Sequence, residues 1–288
     1  MTISRRQVLF GIGGSGLVAG LGLQLVGQST IQSKNSDWQF VGVADTGMGD
    51  QGQYAVANAM SNYYNQSPYS SVLLAGDNIY GIGEIERVKE VFEQPYAALL
   101  QNGVKFYAAL GNHDVITNNG NDEVKYPLFN MTSRYYTFSQ NQVQFFALDT
   151  NIDGASDSNW GRQLQWLEQS LGESKATWKI VFGHHPVYSS GLHGSTRILI
   201  ESLPPLFEKY KVPLYLCGHD HNYERSLVLN GTTYIVHGGG ANTRPVGKSD
   251  FTAYSEARLS FIAVTVSNQQ LKIKAIDTEG KIFDNTVI

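Results

Sequence analysis

The chain has 288 residues and a formal net charge of −4, with 42% hydrophobic and 16% charged residues. This balance is typical of a globular protein of one large or two small domains, and it excludes a disordered chain. The sequence has no basic run and no basic patch with interleaved aromatic residues, so we expect no nucleic-acid partner. The single cysteine, Cys217, excludes an intrachain disulfide bond, and we expect it to be a buried apolar residue.

Residues 1–30 have the pattern of an export signal. Arg5 and Arg6 precede an uncharged run rich in Gly, Leu and Val that extends to about Gly27. This arrangement is typical of a twin-arginine signal, with an ordinary secretory signal or an uncleaved anchor helix as alternatives. Residues 31–37 are polar and predict a linker. We therefore expect a periplasmic or extracellular protein with no other membrane partner and a domain over 38–288.

Apolar strand patterns alternate with helical patterns along this domain. Strands are predicted over 38–45, 72–75, 105–110, 178–182 and 212–216, and helices over 51–64, 84–100, 160–171 and 196–210. Prolines predict a kink near Pro95 and an interruption near Pro204 and Pro205. A loop is predicted over 115–122, a hairpin over 135–149, and β structure after Tyr223 with a turn at Asn230–Gly231. The order predicts an α/β fold of two face-packed β-sheets flanked by helices.

Oxygen and nitrogen donors follow five of the predicted strands. In chain order they are Asp45, Asp77 with Tyr80, Asn112 with His113, His184, and His219 with His221. Open α/β sheets place their sites at the carboxyl ends of strands, so these side chains are expected to meet. A mixed carboxylate and imidazole set without thiolates suits Fe, Mn or Zn. The donors are numerous enough for two metal ions, with the two oxygens of Asp77 as the natural bridge.

Each of these strand ends alone has a simpler explanation. A single Asp or His there is more often structural, and a pair such as Asp77–Asn78 is common in turns. Five such ends in succession make the structural explanation improbable. Two metal ions about 3.5–4 Å apart can activate water and stabilise an in-line displacement at phosphorus.

At these positions the sequence resembles the calcineurin-like metallophosphoesterases, and most closely the small, tartrate-resistant type of purple acid phosphatase. The matching segments are ADTG at 44–47, GDNIY at 76–80, GNHD at 111–114, GHHP at 183–186 and GHDH at 218–221. Tyr80 separates the purple acid phosphatases from most of the superfamily, whereas Ala44 replaces the usual glycine. The resemblance implies a four-layer sandwich that hydrolyses phosphomonoesters, with a metal-bound hydroxide as the nucleophile.

The resemblance also implies two ligand sets. The first metal, Fe(III) in the family, would take Asp45, Asp77, Tyr80 and His221. The second, a divalent Fe, Zn or Mn, would take Asp77, Asn112, His184 and His219. His113 and His193 match family histidines that are not ligands and that act on the leaving group, although His193 could also be an ordinary surface-loop imidazole.

Other positions receive weaker interpretations. Asp114 is expected to orient His113 or a ligand imidazole, and Asp149 is interpreted as structural. His185 could face either way, and His237 is a weaker candidate for the site. The expected partner is a small phosphorylated substrate, with no prediction of the oligomeric state. The alternatives are a phosphodiesterase or nucleotide phosphatase on the same scaffold, and a non-catalytic metal-binding domain that binds a partner.

Overall fold

A computed structural model describes residues 37–152 and 158–288 of the chain. The predicted export signal and all of the predicted linker except Asp37 lie outside the described residues. The strands in the described residues are β1 (Trp38–Val43), β2 (Ser71–Ala75), β3 (Lys105–Ala109), β4 (Tyr136–Gln140), β5 (Val143–Ala147), β6 (Trp178–Phe182), β7 (Leu214–Cys217), β8 (Tyr223–Ser226), β9 (Thr233–His237), β10 (Thr252–Glu256), β11 (Ser260–Val266), β12 (Leu271–Asp277) and β13 (Ile282–Val287). The α-helices are α1 (Gln51–Gln66), α2 (Ala97–Gln101), α3 (Asn121–Lys125), α4 (Ser158–Glu173) and α5 (Arg197–Tyr210). Within these ranges, no helix has both the length and the apolar character needed to cross a membrane.

Two mixed sheets contain all of these strands. The six-stranded sheet has the order β13-β12-β11-β1-β2-β3, with β1, β2 and β3 parallel. The seven-stranded sheet has the order β10-β8-β9-β7-β6-β5-β4, with β5, β6, β7 and β9 parallel. Parallel neighbours end at the same edge of a sheet, so each sheet gathers the loops after its parallel strands at one edge.

The two sheets pack face to face through apolar side chains. Phe40 of β1 meets Phe145 of β5 edge-on, with ring centroids 5.1 Å apart, and both are fully buried. Burial of one such side chain stabilises the fold by about 1.5–3 kcal/mol. On the outer faces, Tyr63 of α1 contacts Phe261 of β11, and Phe207 of α5 contacts Tyr215 of β7. The predicted α/β fold of two face-packed sheets flanked by helices is therefore confirmed.

Three element predictions were wrong in detail. The segment 84–100 is not one kinked helix, because Pro95 lacks a backbone donor and the chain forms a 3₁₀ turn, a π turn and then α2. The predicted loop 115–122 contains a 3₁₀ turn and the start of α3. Helix α5 runs uninterrupted through both prolines. Pro204 and Pro205 are only partly buried or exposed, so water can reach the carbonyls that they leave unbonded, while Leu203 and Phe207 anchor the buried face.

Candidate metal centre

The loops after β1, β2 and β7 carry ligand candidates on a strained backbone. Asp45, Asp77 and His219 have φ values of 57°, 52° and 69°, in the left-handed region that costs a non-glycine residue about 1 kcal/mol or more. Hydrogen bonds hold these loops together, since Asp45 N donates to Gly76 O at 3.0 Å and Gly47 N donates to Asp77 O at 3.1 Å. Strain of this kind persists only where the surroundings over-determine it, and it is concentrated at functional sites.

Two motif glycines leave room for a carboxylate from another loop. A Cβ built on Gly111 would lie 2.1 Å from Asp77 Oδ1, and one built on Gly218 would lie 2.2 Å from Asp45 Oδ2. Because these contacts are far shorter than any real Cβ tolerates, each glycine permits the close packing of the loops. The glycine preceding Asn112 and the glycine preceding His219 are therefore part of the architecture of the centre.

Three of the predicted ligands for the first metal form one cluster. Tyr80 Oη lies 3.0 Å from Asp45 Oδ1 and 2.8 Å from His221 Nε2. His221 Nε2 lies 3.4 Å from Asp45 Oδ1. All three side chains are buried, and they come from loops of both sheets.

The predicted ligands for the second metal form an adjacent cluster. Asn112 Oδ1 lies 3.0 Å from His184 Nε2 and 2.9 Å from His219 Nδ1, and the two imidazole nitrogens are 3.2 Å apart. His184 Nε2 also lies 3.5 Å from Asp77 Oδ1. Donor atoms of Asp45, Asp77 and His184 all lie within 4.8 Å of one another, which joins the two clusters. The structure thus brings together all seven residues predicted to be ligands.

Neighbouring groups fix which nitrogen two of the histidines present. His184 Nδ1 donates to Ala75 O at 3.0 Å, and His221 Nδ1 donates to Asn242 Oδ1, so each Nε2 points into its cluster. Such outer contacts orient ligand imidazoles in metal sites. Sequence reasoning missed Asn242. The only signal in the sequence was that Asn242 follows β9 and the Gly238–Gly240 run, and β9 belongs to the same seven-stranded sheet as β7.

The buried carboxylates of the two clusters have histidines as their only basic neighbours among the described residues. Asp45 and Asp77 are almost fully buried, and no lysine or arginine pairs with either of them in 37–152 or 158–288. Burial opposes ionisation of Asp45, but the hydrogen bond to His221 and the charges of His184 and His221 hold its pKa below the ordinary value. Burial alone would lower the pKa of His184, but the charges of Asp77 and Asp45 raise it overall. Protons on the histidines therefore compensate the negative charge of the carboxylates, and bound metal ions could replace these protons.

The remaining donors suit a cation as well. Burial and the surrounding histidines push the pKa of His219 far below its ordinary value, which favours the neutral imidazole that binds metals. Burial, then the charges of Asp45 and Asp77, raises the pKa of Tyr80, so the phenol is neutral and donates to Asp45. A nearby cation would reverse this preference. Buried carboxylates, imidazoles, an amide oxygen and a phenol fit two metal ions of the Fe, Mn or Zn type.

The two histidines predicted to act on the leaving group lie beside these clusters. His113 N donates to Asp77 Oδ1 at 3.0 Å, its Nδ1 donates to Gly81 O at 2.9 Å, and its ring centroid is 4.7 Å from that of Tyr80. The ring of His193 lies 4.2 Å from that of His219. Both are therefore adjacent to predicted ligands without belonging to either set.

The hydrogen bonds of the two histidines differ. Arg244 Nη1 lies 2.8 Å from His193 Nε2, and a guanidinium can only donate. His193 Nε2 is therefore an acceptor and carries no proton in this arrangement. His113 uses Nδ1 as its donor, which leaves Nε2 as the atom at which it can exchange a proton with a ligand.

Asp220, between the two predicted ligands His219 and His221, holds the loop of His193. It accepts hydrogen bonds from Ser189 Oγ at 2.5 Å, from His193 N at 2.8 Å and from Gly194 N at 3.2 Å. It is almost fully buried. This role was not predicted from the sequence, because the loop and Asp220 are 26 or more positions apart.

Asp114 does not orient an imidazole, so that expectation was wrong. Its oxygens accept from the backbone amides of Asn78 at 2.9 Å, Ile79 at 3.1 Å and Gly111 at 2.7 Å, which ties the Asp77 loop to the Asn112 loop. Burial, and then the charge of Asp77, raises its pKa to about 6. The oxygens of Asp114 bind these backbone amides and not an imidazole, because the two loops meet at this carboxylate.

The other positions now have definite surroundings. His185 Nδ1 contacts Thr150 Oγ1 at 2.9 Å, its ring lies 4.5 Å from that of His219, and burial lowers its pKa to about 3. His237 is fully buried beside Gly42, and neither ring nitrogen has a partner in the described part of the chain. Asp149 forms a 2.7 Å ion pair with Arg134, as expected of a structural residue.

Comparisons with known proteins agree with this geometry. The family model for calcineurin-like phosphoesterases matches residues 36–223. The chain is 29% identical to tartrate-resistant acid phosphatase type 5 of Rattus norvegicus, over 87% of this chain and 90% of the relative. It is 30% identical to the enzyme of the same name from Oryctolagus cuniculus, over 70% of this chain and 72% of the relative.

Two solved structures share the fold. The purple acid phosphatase PPD1 of yellow lupin superposes with a TM-score of 0.76 at 20% identity, over 88% of this chain and 54% of that one. GAP50, described as the anchor in the inner membrane complex of Plasmodium, superposes with a TM-score of 0.75 at 21% identity, over 87% and 88% of the two chains. The family match and the acid phosphatase relatives together establish that this chain belongs to the calcineurin-like phosphoesterases, among the purple acid phosphatases.

Proposed function

We propose that the protein hydrolyses phosphomonoesters at a centre for two metal ions. The observation that supports this most strongly is the convergence of seven donor residues, from strand ends of both sheets, on two adjacent clusters. Metal analysis of the purified protein, combined with turnover of a chromogenic monoester and diester, tests the proposal. Preferred turnover of the diester would favour the alternative phosphodiesterase function.

The proposed ligand sets follow the two clusters. Fe(III) is assigned to Asp45, Asp77, Tyr80 and His221. A second divalent ion, Fe, Zn or Mn, is assigned to Asp77, Asn112, His184 and His219. When bound, the two ions polarise the phosphoryl oxygens and activate a water for in-line attack at phosphorus.

The side chains of the protein supply the proton and the orientation. We assign His113 as the group that protonates the leaving alkoxide, because its Nδ1 is committed to Gly81 O and its Nε2 can carry the transferred proton. We assign His193 an orienting role instead, because its Nε2 accepts from Arg244 and the proton of the neutral ring is then on Nδ1, where it can donate a hydrogen bond to the substrate. Asp220 holds the loop of His193 against the centre.

A non-catalytic partner-binding role is the less favoured alternative. The likeness to GAP50 is a likeness of fold, so the fold by itself does not distinguish an enzyme from an anchor protein. The complete donor set and the position of His113 favour catalysis.

Export through the twin-arginine route is proposed from Arg5 and Arg6. That route transports folded proteins, which suits a centre loaded with metal before export. Replacing both arginines with lysine is expected to block export, and unchanged export would favour an ordinary secretory signal.

Replacement of Asp77 tests the bridging assignment. Asp77→Asn is expected to lose metal from both positions and to reduce kcat by at least about 100-fold, because a neutral amide replaces the charge shared by two cations. Asp149→Asn is the control, since Asp149 also follows a strand but pairs with Arg134. A variant of Asp77 that retains two metals and near-normal turnover would rule the assignment out.

Replacement of His113 tests the proton-donor assignment. His113→Ala is expected to lower kcat by about 10²–10⁴-fold for alkyl phosphates and much less for p-nitrophenyl phosphate, whose leaving group needs no proton. His193→Ala is expected to lower turnover of both substrates by similar factors. Metal content should be unchanged in both variants, and loss of metal from His113→Ala would show that His113 is a ligand.

Tyr80 tests the identity of the first metal. A phenolate bound to Fe(III) gives a visible absorption band, so the oxidised, iron-loaded protein is expected to be violet to pink. Tyr80→Phe should abolish the band and retain part of the activity, because Asp45, Asp77 and His221 still hold the ion. A visible spectrum recorded beside iron analysis decides this, and an unchanged band in Tyr80→Phe would contradict phenolate ligation. Tyr69→Phe, a buried tyrosine bonded to Met60 O, is the control.

A further inference from the structure

Arg244 is a cation beside the metal centre, and it has no carboxylate partner in the described part of the chain. It lies in the segment after β9, and its side chain is only partly exposed. Its Nη1 donates to His193 Nε2 at 2.8 Å, and its backbone N donates to His221 O at 2.7 Å. Over 37–152 and 158–288, no aspartate or glutamate lies within ion-pair distance of its guanidinium, whereas Arg134, Arg225 and Arg258 each pair with one.

The surrounding contacts hold the segment that carries Arg244 in place. Asn242, two residues before Arg244, accepts a hydrogen bond from His221 Nδ1. Further along the segment, Gly247 N donates to Ser190 O at 3.0 Å, in the loop that carries His193. Arg244 is thus fixed both to the ligand loop and to the His193 loop.

The order of the side chains places Arg244 outside the ligands. His219 Nδ1 faces Asn112 and His184, the ring of His193 lies 4.2 Å from the ring of His219, and Arg244 contacts the Nε2 of His193. Relative to His219, the guanidinium is therefore one imidazole farther out, on the side of His193. A phosphoryl group held at the ligands would meet His193 first, and Arg244 would meet what is attached to that group.

We propose that Arg244 binds a second anionic group, a carboxylate or a phosphate, on the leaving-group portion of the substrate. The inference rests on the proposed phosphomonoesterase function and deepens it. A guanidinium presents five N–H donors in a fork that matches both kinds of oxyanion, and only one nitrogen is used on His193. An unpaired cation on a protein with a formal net charge of −4 also attracts such substrates to this edge of the centre.

The test uses phosphonates, which resist hydrolysis, on the metal-loaded full chain. Calorimetry compares ethylphosphonate with 3-phosphonopropionate, and propylphosphonate with propane-1,3-diphosphonate, so the two arms separate a carboxylate from a phosphate-like group. In at least one pair, the wild type is expected to bind the compound with two anionic groups about tenfold more tightly than the compound with one. In Arg244→Met this preference should fall below about twofold. Because the ratio is measured within each pair, any common effect through His193 cancels.

Lys248→Met is the matched control, since it removes one positive charge from an exposed position of the same segment. It should keep the wild-type preference. An equal loss in both variants would show a diffuse charge effect, and equal weakening of both members of each pair in Arg244→Met would show that the guanidinium contacts the held phosphoryl group. Either result overturns the inference. Failure of the proposed function is recognised separately, because no monoester would then be hydrolysed by the metal-loaded wild type.

Discussion

The structure of the centre depends on two buried carboxylates that have no lysine or arginine partner among the described residues. Asp45 and Asp77 lie where the strand ends of the two sheets meet, and burial of an uncompensated charge costs several kcal/mol. Backbone amides supply part of the compensation, since His219 N donates to Asp45 Oδ2 at 2.9 Å and His113 N donates to Asp77 Oδ1 at 3.0 Å. The histidines supply the rest in the protein alone, and two cations would supply far more.

The local structure follows from that constraint. The left-handed backbone at Asp45, Asp77 and His219 turns the carboxylates and the imidazole toward one point. Glycines at 111 and 218 remove the side chains that would block them. Asp114 connects the Asp77 loop to the Asn112 loop by accepting hydrogen bonds from three backbone amides. The left-handed backbone costs stability at each of these residues, and a site that binds positive charge explains why the features occur together.

Much of this arrangement could be predicted from the sequence. The order of strands and the donor after each one predict that these side chains meet, because parallel strands end at one edge and the carboxylate and imidazole donors occur at those ends. The division into two ligand sets came from the resemblance to the family. The continuous helix α5 could not be predicted, since the effect of Pro204 and Pro205 depends on which face meets solvent. Asn242, Asp220 and Arg244 were also missed. Each acts through a contact between segments that are distant in sequence, and a polar residue in a loop gives no periodic signal.

The arrangement also distinguishes the surroundings of the two histidines that were predicted not to be ligands. Both lie beside the clusters, yet Arg244 makes His193 a hydrogen-bond acceptor, whereas His113 is anchored by a carbonyl at Nδ1. The resemblance to the family predicts that two such histidines exist, and their hydrogen bonds show which ring nitrogen each one leaves available, Nε2 in His113 and Nδ1 in His193.

The central claim is that the two clusters hold two metal ions bridged by Asp77. Anomalous diffraction from crystals of the purified protein, collected above and below the iron absorption edge, tests it most directly. The account predicts two peaks about 3.5–4 Å apart, with Asp77 between them and iron at the position beside Tyr80. A single peak, or two peaks of which neither contacts Asp77, would contradict it.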